Sequence, residues 1–407
     1  MTGVNIAIVY GTSVVAARTL GLDRFGDYAV ALASVALLST LAELGTGKYA
    51  MRAVPAYVEA AAFGLARGYR RFATRTVLAS SVALALLAWG LEWRAPGDAR
   101  ALQMALLFLP VMALVGYGAE AVQANHATLR SAVITRLVVP GVSLAALLAW
   151  LAQRDELDPV TAVAFHGLGW LVGLLLTWRF LASSTPDAVR EATPELRSRE
   201  WLLRSLPFLG FALLLTALTR SSLIVLEYAA SAHEASVFAA ALETGTILAL
   251  VGKATDKMFL PSISLLIERR DVTRMLHERR RRLRWVGSLC LAHLIVMALA
   301  GRWLLSLFGP GFEDGYVPLL IVSGGTAVWT FFSLSPSYLK YVMKQRFVLL
   351  ATGVAALSSA ALTWALGARW GSLGAAIAFT GPVAALYLVF AAVAWRDKGR
   401  FLEHETH

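Results

Sequence analysis

Several charged residues stand where charge is costly. Arg18 lies toward the end of an apolar run that begins near Asn5, and Glu43 follows the Ala-, Leu- and Val-rich run Tyr28 to Leu41. Arg220 falls well inside the apolar run Leu206 to Tyr228, while Glu120 and Glu243 sit near or within two more. In a bilayer each such charge costs roughly 2.5 kcal/mol or more, so each implies a partner or a task. An arginine offers a planar fork of donors that matches a phosphate or diphosphate. A carboxylate in the same setting either pairs with a nearby Arg or Lys or serves as a protonation or cation-coupling site. Two cation pairs, Lys48/Arg52 and Lys253/Lys257, have i,i+4 spacing and so share a helix face. They read either as anchors at the cytoplasmic surface or as a basic vestibule that grips phosphates. Arg18 carries a similar choice between snorkelling to headgroups and lining a cavity.

Other chemistry finds little support. His126, His166, His233, His277 and His293 occur singly, without metal-ligand spacing. The terminal His404-Glu405-Thr406-His407 is one residue short of HExxH. There is no P-loop, no GxSxG, and no long extramembrane loop in which to build a catalytic centre. The expectation is therefore no catalytic residue, no metal and no cofactor, hence no enzyme.

The elements that must hold these charges are membrane helices. Of 407 residues, 58% are hydrophobic and 15% charged, with a mean hydropathy of +0.64. Soluble domains carry nearer 25% charge. Only a helix that satisfies its own backbone, or a closed barrel, can cross lipid, and runs of about 20 apolar residues are of spanning length. The composition predicts an all-α integral membrane protein of about twelve spans. These fall near residues 5–20, 27–47, 72–91, 101–123, 131–151, 159–181, 206–228, 235–259, 285–308, 316–338, 347–366 and 373–395. The first run is short for a span, which leaves open that its helix begins earlier. Gly21 to Asp27 reads as a polar hairpin, Met51 to Arg71 as an interfacial helix or loop, and Ser262 to Arg284 as a basic amphipathic segment. Pro96-Gly97 marks a turn, and Gly169/Gly173 and Gly367/Gly371 fit close helix packing. The single Cys290 excludes an internal disulfide. No cleavable signal is expected.

The net charge of +11 flanks apolar runs rather than forming a basic domain, which argues against nucleic acid. Joints after odd-numbered spans hold about six Lys and Arg and those after even-numbered spans, with the tail, roughly 26, so even joints and both termini are expected on the cytoplasmic side. The polar stretch 183–204, with Pro186 and Pro194, reads as a linker between an N-lobe (1–182) and a C-lobe (205–395), ahead of a tail, 396–407. Six spans on each side imply parallel repeats. Lys48, Arg52 and Pro55 in one half answer Lys253, Lys257 and Pro261 in the other, and a basic segment follows each proline. Arg18 and Arg220 then occupy equivalent first spans and could face one another across a central cavity.

Several motifs fall in a recognisable order. Ala17-Arg18-Thr19-Leu20-Gly21, Phe25-Gly26-Asp27-Tyr28, Ala42-Glu43-Leu44-Gly45 and Val54-Pro55 open the chain. Leu307-Phe308-Gly309-Pro310-Gly311-Phe312 and Gly371-Ser372-Leu373-Gly374-Ala375-Ala376-Ile377-Ala378 follow later. Together they resemble the polysaccharide-export flippases of the multidrug/oligosaccharidyl-lipid/polysaccharide exporter superfamily. The resemblance implies two six-helix lobes around a central cavity, alternating access, and a cargo of undecaprenyl-diphosphate-linked sugar or oligosaccharide. It further implies a monomer in the bacterial cytoplasmic membrane, among membrane lipids and near polysaccharide polymerase or assembly proteins. On that reading Arg18, Arg52, Arg220, Lys253 and Lys257 meet the diphosphate, and Glu43, Glu120 and Glu243 are coupling candidates. A cation-coupled drug antiporter on the same scaffold, or a membrane-embedded glycan ligase or polymerase, are the alternative readings. Mixed-to-basic interior charge disfavours the first, and short outer loops the second.

Overall fold

A computed structural model describes residues 2–92, 100–154, 156–253, 255–256, 259, 272–341 and 344–403. Lys257, Pro261, the Pro96-Gly97 turn, the start of the 262–284 segment and the His404–His407 motif lie outside the described residues. Nearly all of the described residues are helical, and none of them forms a strand. Among those residues ten helices are long and apolar enough to span a bilayer, and a bent pair makes an eleventh. The last of the ten, Gln345–Glu403, is divided by a non-helical Gly371 (φ 54°, ψ −132°), which gives twelve spans. Gly371 thus ends a helix rather than packing inside one, which corrects its expected role beside Gly367.

Two compact units form, one over Gly3–Arg220 and one from Ser221 onward. In the first, α1 (Thr2–Leu20) and α2 (Leu22–Ala42) meet at Gly21 alone (φ 76°), so the expected polar hairpin is mostly the first turn of α2. The second span also ends sooner than expected. The backbone breaks over Glu43–Gly45, with Leu44 and Gly45 both left-handed (φ 49° and 70°). Only Gly meets the second requirement cheaply, and a side chain at Gly45 would also collide with the backbone of Ser205 and Leu209. The freed carbonyls find partners. Thr46 Oγ1 donates to the Glu43 carbonyl at 2.7 Å, Ser80 Oγ to that of Ala42 at 2.5 Å, and Tyr69 Oη to that of Thr46 at 2.6 Å.

After the break α3 (Thr46–Glu59) resumes, with Pro55 inside it rather than stopping it. Lys48 and Arg52 therefore belong to this new helix. α4 (Phe63–Glu92) starts earlier than expected and takes Arg67, Arg70 and Arg71 into its first turns. The fourth span is the bent pair, α5 (Arg100–Leu107) and α6 (Leu109–Ala124), angled by 46° at Phe108. α7 (Thr128–Val133) passes through a π turn, Ile134–Val138, into α8 (Val139–Leu151), and the Arg136 carbonyl in that widened turn accepts from Asn5 Nδ2 at 2.7 Å. α9 (Pro159–Ser184) lays Gly169 and Gly173 against Val139 and Ser143 of α8, the close packing its spacing predicts.

Most of the polar 183–204 stretch is helical, in α10 (Asp187–Glu191) and the start of α11 (Ser198–Ala229). Its extended part is strapped to α4. Glu195 N donates to Gly64 O at 3.0 Å and Arg67 to Ala192 O at 2.6 Å. The indole of Trp201 is fully buried against Tyr69 and Phe72 and donates to Tyr57 Oη at 2.9 Å.

The second unit contains α12 (Ala232–Gly245), α13 (Val272–Ser306), α14 (Tyr316–Phe332), α15 (Leu334–Tyr341) and α16 (Gln345–Glu403). Ala235 to Ala241 of α12 are buried without exception, because small side chains let neighbouring helices close in. Leucines such as Leu299 and Leu350 instead point outward, as the lipid-facing side of a membrane protein requires.

Candidate functional site

The first unit holds an open cavity of about 290 Å³ between four of its helices, with polar and charged side chains among its lining. α2 contributes Ala36, Ser39 and Thr40, and the break after it contributes Glu43. α6 contributes Met112 and Gly116, α9 contributes Trp170, and α11 contributes Thr216, Thr219 and Arg220. The two threonine walls touch, with Thr40 Oγ1 and Thr216 Oγ1 3.3 Å apart. Thr219 Oγ1 donates to the Leu215 and Thr216 carbonyls, both at 3.1 Å, which satisfies its donor and leaves its lone pairs available.

Glu43 owes its place to the helix break and to a glycine. A methyl group on Gly116 would collide with its carboxylate. One turn along α6, Glu120 makes the mirror-image contact, because a methyl on Gly47 would collide with the Glu120 carboxylate. Glu43-x3-Gly47 and Gly116-x3-Glu120 thus interlock, each carboxylate lying where the other helix has no side chain. The two acids interact electrostatically, and Lys48 forms an ion pair with Glu120. Glu120 is largely enclosed, at 13% side-chain exposure, against 48% for Lys48. The sequence left pairing with a nearby cation as one of two readings for Glu120, and that cation is Lys48.

The structure therefore brings Glu43 and Arg220 to one cavity and puts Glu120 behind Glu43. Among the described residues its lining does not include Arg18 or Arg52. Arg18 is exposed in the last turn of α1, and Arg52 is exposed on α3. In the second unit Glu243 is half-buried near the end of α12, and the exposed Lys253 stands 5.7 Å from the Trp329 ring centre. Trp170, Met112 and the threonines were not anticipated, since neutral residues in apolar helices carry no local signal.

One buried cation of the second unit was also missed. Arg282, only 2% exposed, pairs with Asp256, donates to Ser333 Oγ at 2.8 Å, and lies 3.4 Å from the Phe331 carbonyl. It lies in the segment expected to be basic and amphipathic, and it ties three segments together. Glu234 of α12 plays a comparable structural part. Its Oε2 accepts from the Ser372 N–H at 2.6 Å and so caps the helix that restarts after Gly371.

Solved structures share this architecture. The inward-facing conformation of a multidrug resistance MATE family transporter of the MOP superfamily matches with a TM-score of 0.73 at 12% identity, over 98% of this chain and 96% of that one. An outward-facing conformation under the same description gives 0.63 at 13%, over 99% and 94%. A MOP superfamily transporter from Pyrococcus furiosus, described as having reverse polarity of its binding pocket, gives 0.56 at 12%, over 98% and 94%. At such identities the likeness establishes the fold, that of multi-pass membrane transporters. No curated protein sequence matches the chain. A family model described as "Polysaccharide biosynthesis protein" matches residues 1–251, and the chain belongs to that family.

Proposed function

We propose that the protein is a flippase that carries an undecaprenyl-diphosphate-linked sugar or oligosaccharide across the bacterial cytoplasmic membrane by alternating access. The observation that carries this reading is a cavity with polar and charged side chains among its lining, built from helices that are otherwise apolar, in a chain of the polysaccharide biosynthesis family. A lipid-linked glycan needs hydrogen-bonding side chains within the membrane for its headgroup, while its polyprenyl tail stays in lipid. Arg18, Arg52, Lys253 and Lys257 are the cations proposed to receive the diphosphate as it enters, and Arg220 serves the headgroup inside the cavity. Glu43, Glu120 and Glu243 are the groups proposed to couple transport to an ion. Both termini face the cytoplasm, and the monomer works beside the enzymes that polymerise its cargo.

The test is flipping of a fluorescent lipid-linked sugar in reconstituted vesicles. Arg18→Ala combined with Arg220→Ala is expected to reduce the rate at least about tenfold, as removal of charge-assisted contacts would. A double variant that flips cargo at the original rate would refute the assignment of these cations to the headgroup.

A further inference from the structure

We infer that the cavity of the first unit is a subsite for one sugar ring of the cargo and not for its diphosphate, an inference that rests on the flippase reading above. Charge is the first reason. A diphosphate site needs converging cations, yet here Arg220 is matched across the same cavity by the Glu43 carboxylate. Behind Glu43, Glu120 and Lys48 are already paired with each other. One guanidinium beside a carboxyl group does not supply the converging cations that a diphosphate needs. A neutral polyol needs no such convergence. A carboxylate accepts from its hydroxyls and a guanidinium donates to them.

Size and lining agree. A volume of about 290 Å³ falls just below the roughly 300–1,000 Å³ of sites that hold drug-sized ligands, which is room for one sugar ring. Thr40, Thr216 and Thr219 add hydroxyls, and Trp170 supplies the flat apolar surface on which the C–H face of a pyranose can lie. A separate observation points the same way. Trp170 Nε1 is buried with no hydrogen-bond partner among the described residues, and neither has Nδ1 of His166, one turn earlier on α9, with ring centres 6.4 Å apart. Buried polar atoms are seldom left unsatisfied in a finished structure, and Trp170 Nε1, on a residue that lines the cavity, is placed for a ligand that accepts hydrogen bonds.

The experiment measures equilibrium binding to the full-length protein in nanodiscs. The probes are undecaprenyl diphosphate, bare or carrying a single hexose, deoxyhexose or N-acetylhexosamine. The wild type is expected to prefer at least one glycosylated lipid over the bare one. Trp170→Ala and the isosteric Glu43→Gln are each expected to weaken that glycosylated lipid by about tenfold and to leave the bare lipid unchanged. Trp170→Phe, which keeps a flat ring, retains most of the preference. Glu43→Gln stands as a test even where Trp170→Ala fails to fold. Three results overturn the subsite and leave the flippase reading standing. They are a wild type that shows no preference across the panel, variants that weaken bare and glycosylated lipids equally or not at all, and a Glu43→Gln protein that binds the bare lipid more tightly. A wild type that binds none of the lipids removes the flippase reading and the subsite with it.

Discussion

A charge inside a membrane protein is defined by its neighbours, and here those neighbours are specific. Glu43 and Glu120 each fill the space left by a glycine on the opposing helix, and Lys48 is the partner of Glu120. Lys48→Met is expected to lower stability by about 1–3 kcal/mol, because a largely enclosed carboxylate loses its partner while the lost cation was itself half in solvent. Glu120→Gln in the same background should recover part of the loss, and thermal unfolding in detergent reads both. Equal losses in the single and double variants would mean that the ion pair contributes nothing. The E-x3-G and G-x3-E spacings were present in the sequence. What was not legible is that they face one another, since helical periodicity names a face and not what lies opposite it.

Among the helices, the breaks carry the design. α2 stops at Glu43–Gly45 because two successive left-handed residues cannot continue a helix, and the cavity wall depends on that stop. The last long helix is divided at Gly371, and Glu234 holds the restart by accepting from Ser372 N. Glu234→Ala is expected to cost about 1 kcal/mol, the usual worth of a helix cap, while Glu234→Asp should cost less. A shift in melting temperature on the scale of a surface mutation would contradict the cap. The apolar runs were easy to see in the sequence, but their ends were not. α4 begins at Phe63 and α11 at Ser198, both inside stretches rich in charge. Charge at a helix terminus near the membrane surface is compatible with the helix, so composition alone truncates these spans.

For the molecule as a whole, the proposed orientation follows from the positive-inside asymmetry. Cys290 is buried, and with Cys290→Ala as background a single cysteine can report on each side. Ser183→Cys follows an even-numbered span and is expected to resist a membrane-impermeant thiol reagent in intact cells. Glu313→Cys lies in the joint after the ninth span and is expected to react; both positions are exposed. The reverse pattern would invert the topology and place the basic joints outside.

By itself the sequence determined the class: helical, polytopic, charged at its joints, and built in the manner of a transporter. The first three are written locally, in windows of about 20 residues whose transfer free energy decides between water and lipid, whereas the last rests on the order of motifs that resemble a known exporter family. Which charges share a cavity was decided only by tertiary structure. Glu43 and Arg220 are far apart in the chain and line one hollow, whereas Lys48 and Arg52, one turn apart, diverge into an ion pair and an exposed cation. The physical reason is that a charge's role depends on what packing brings within a few ångströms of it, and no window of sequence contains that information.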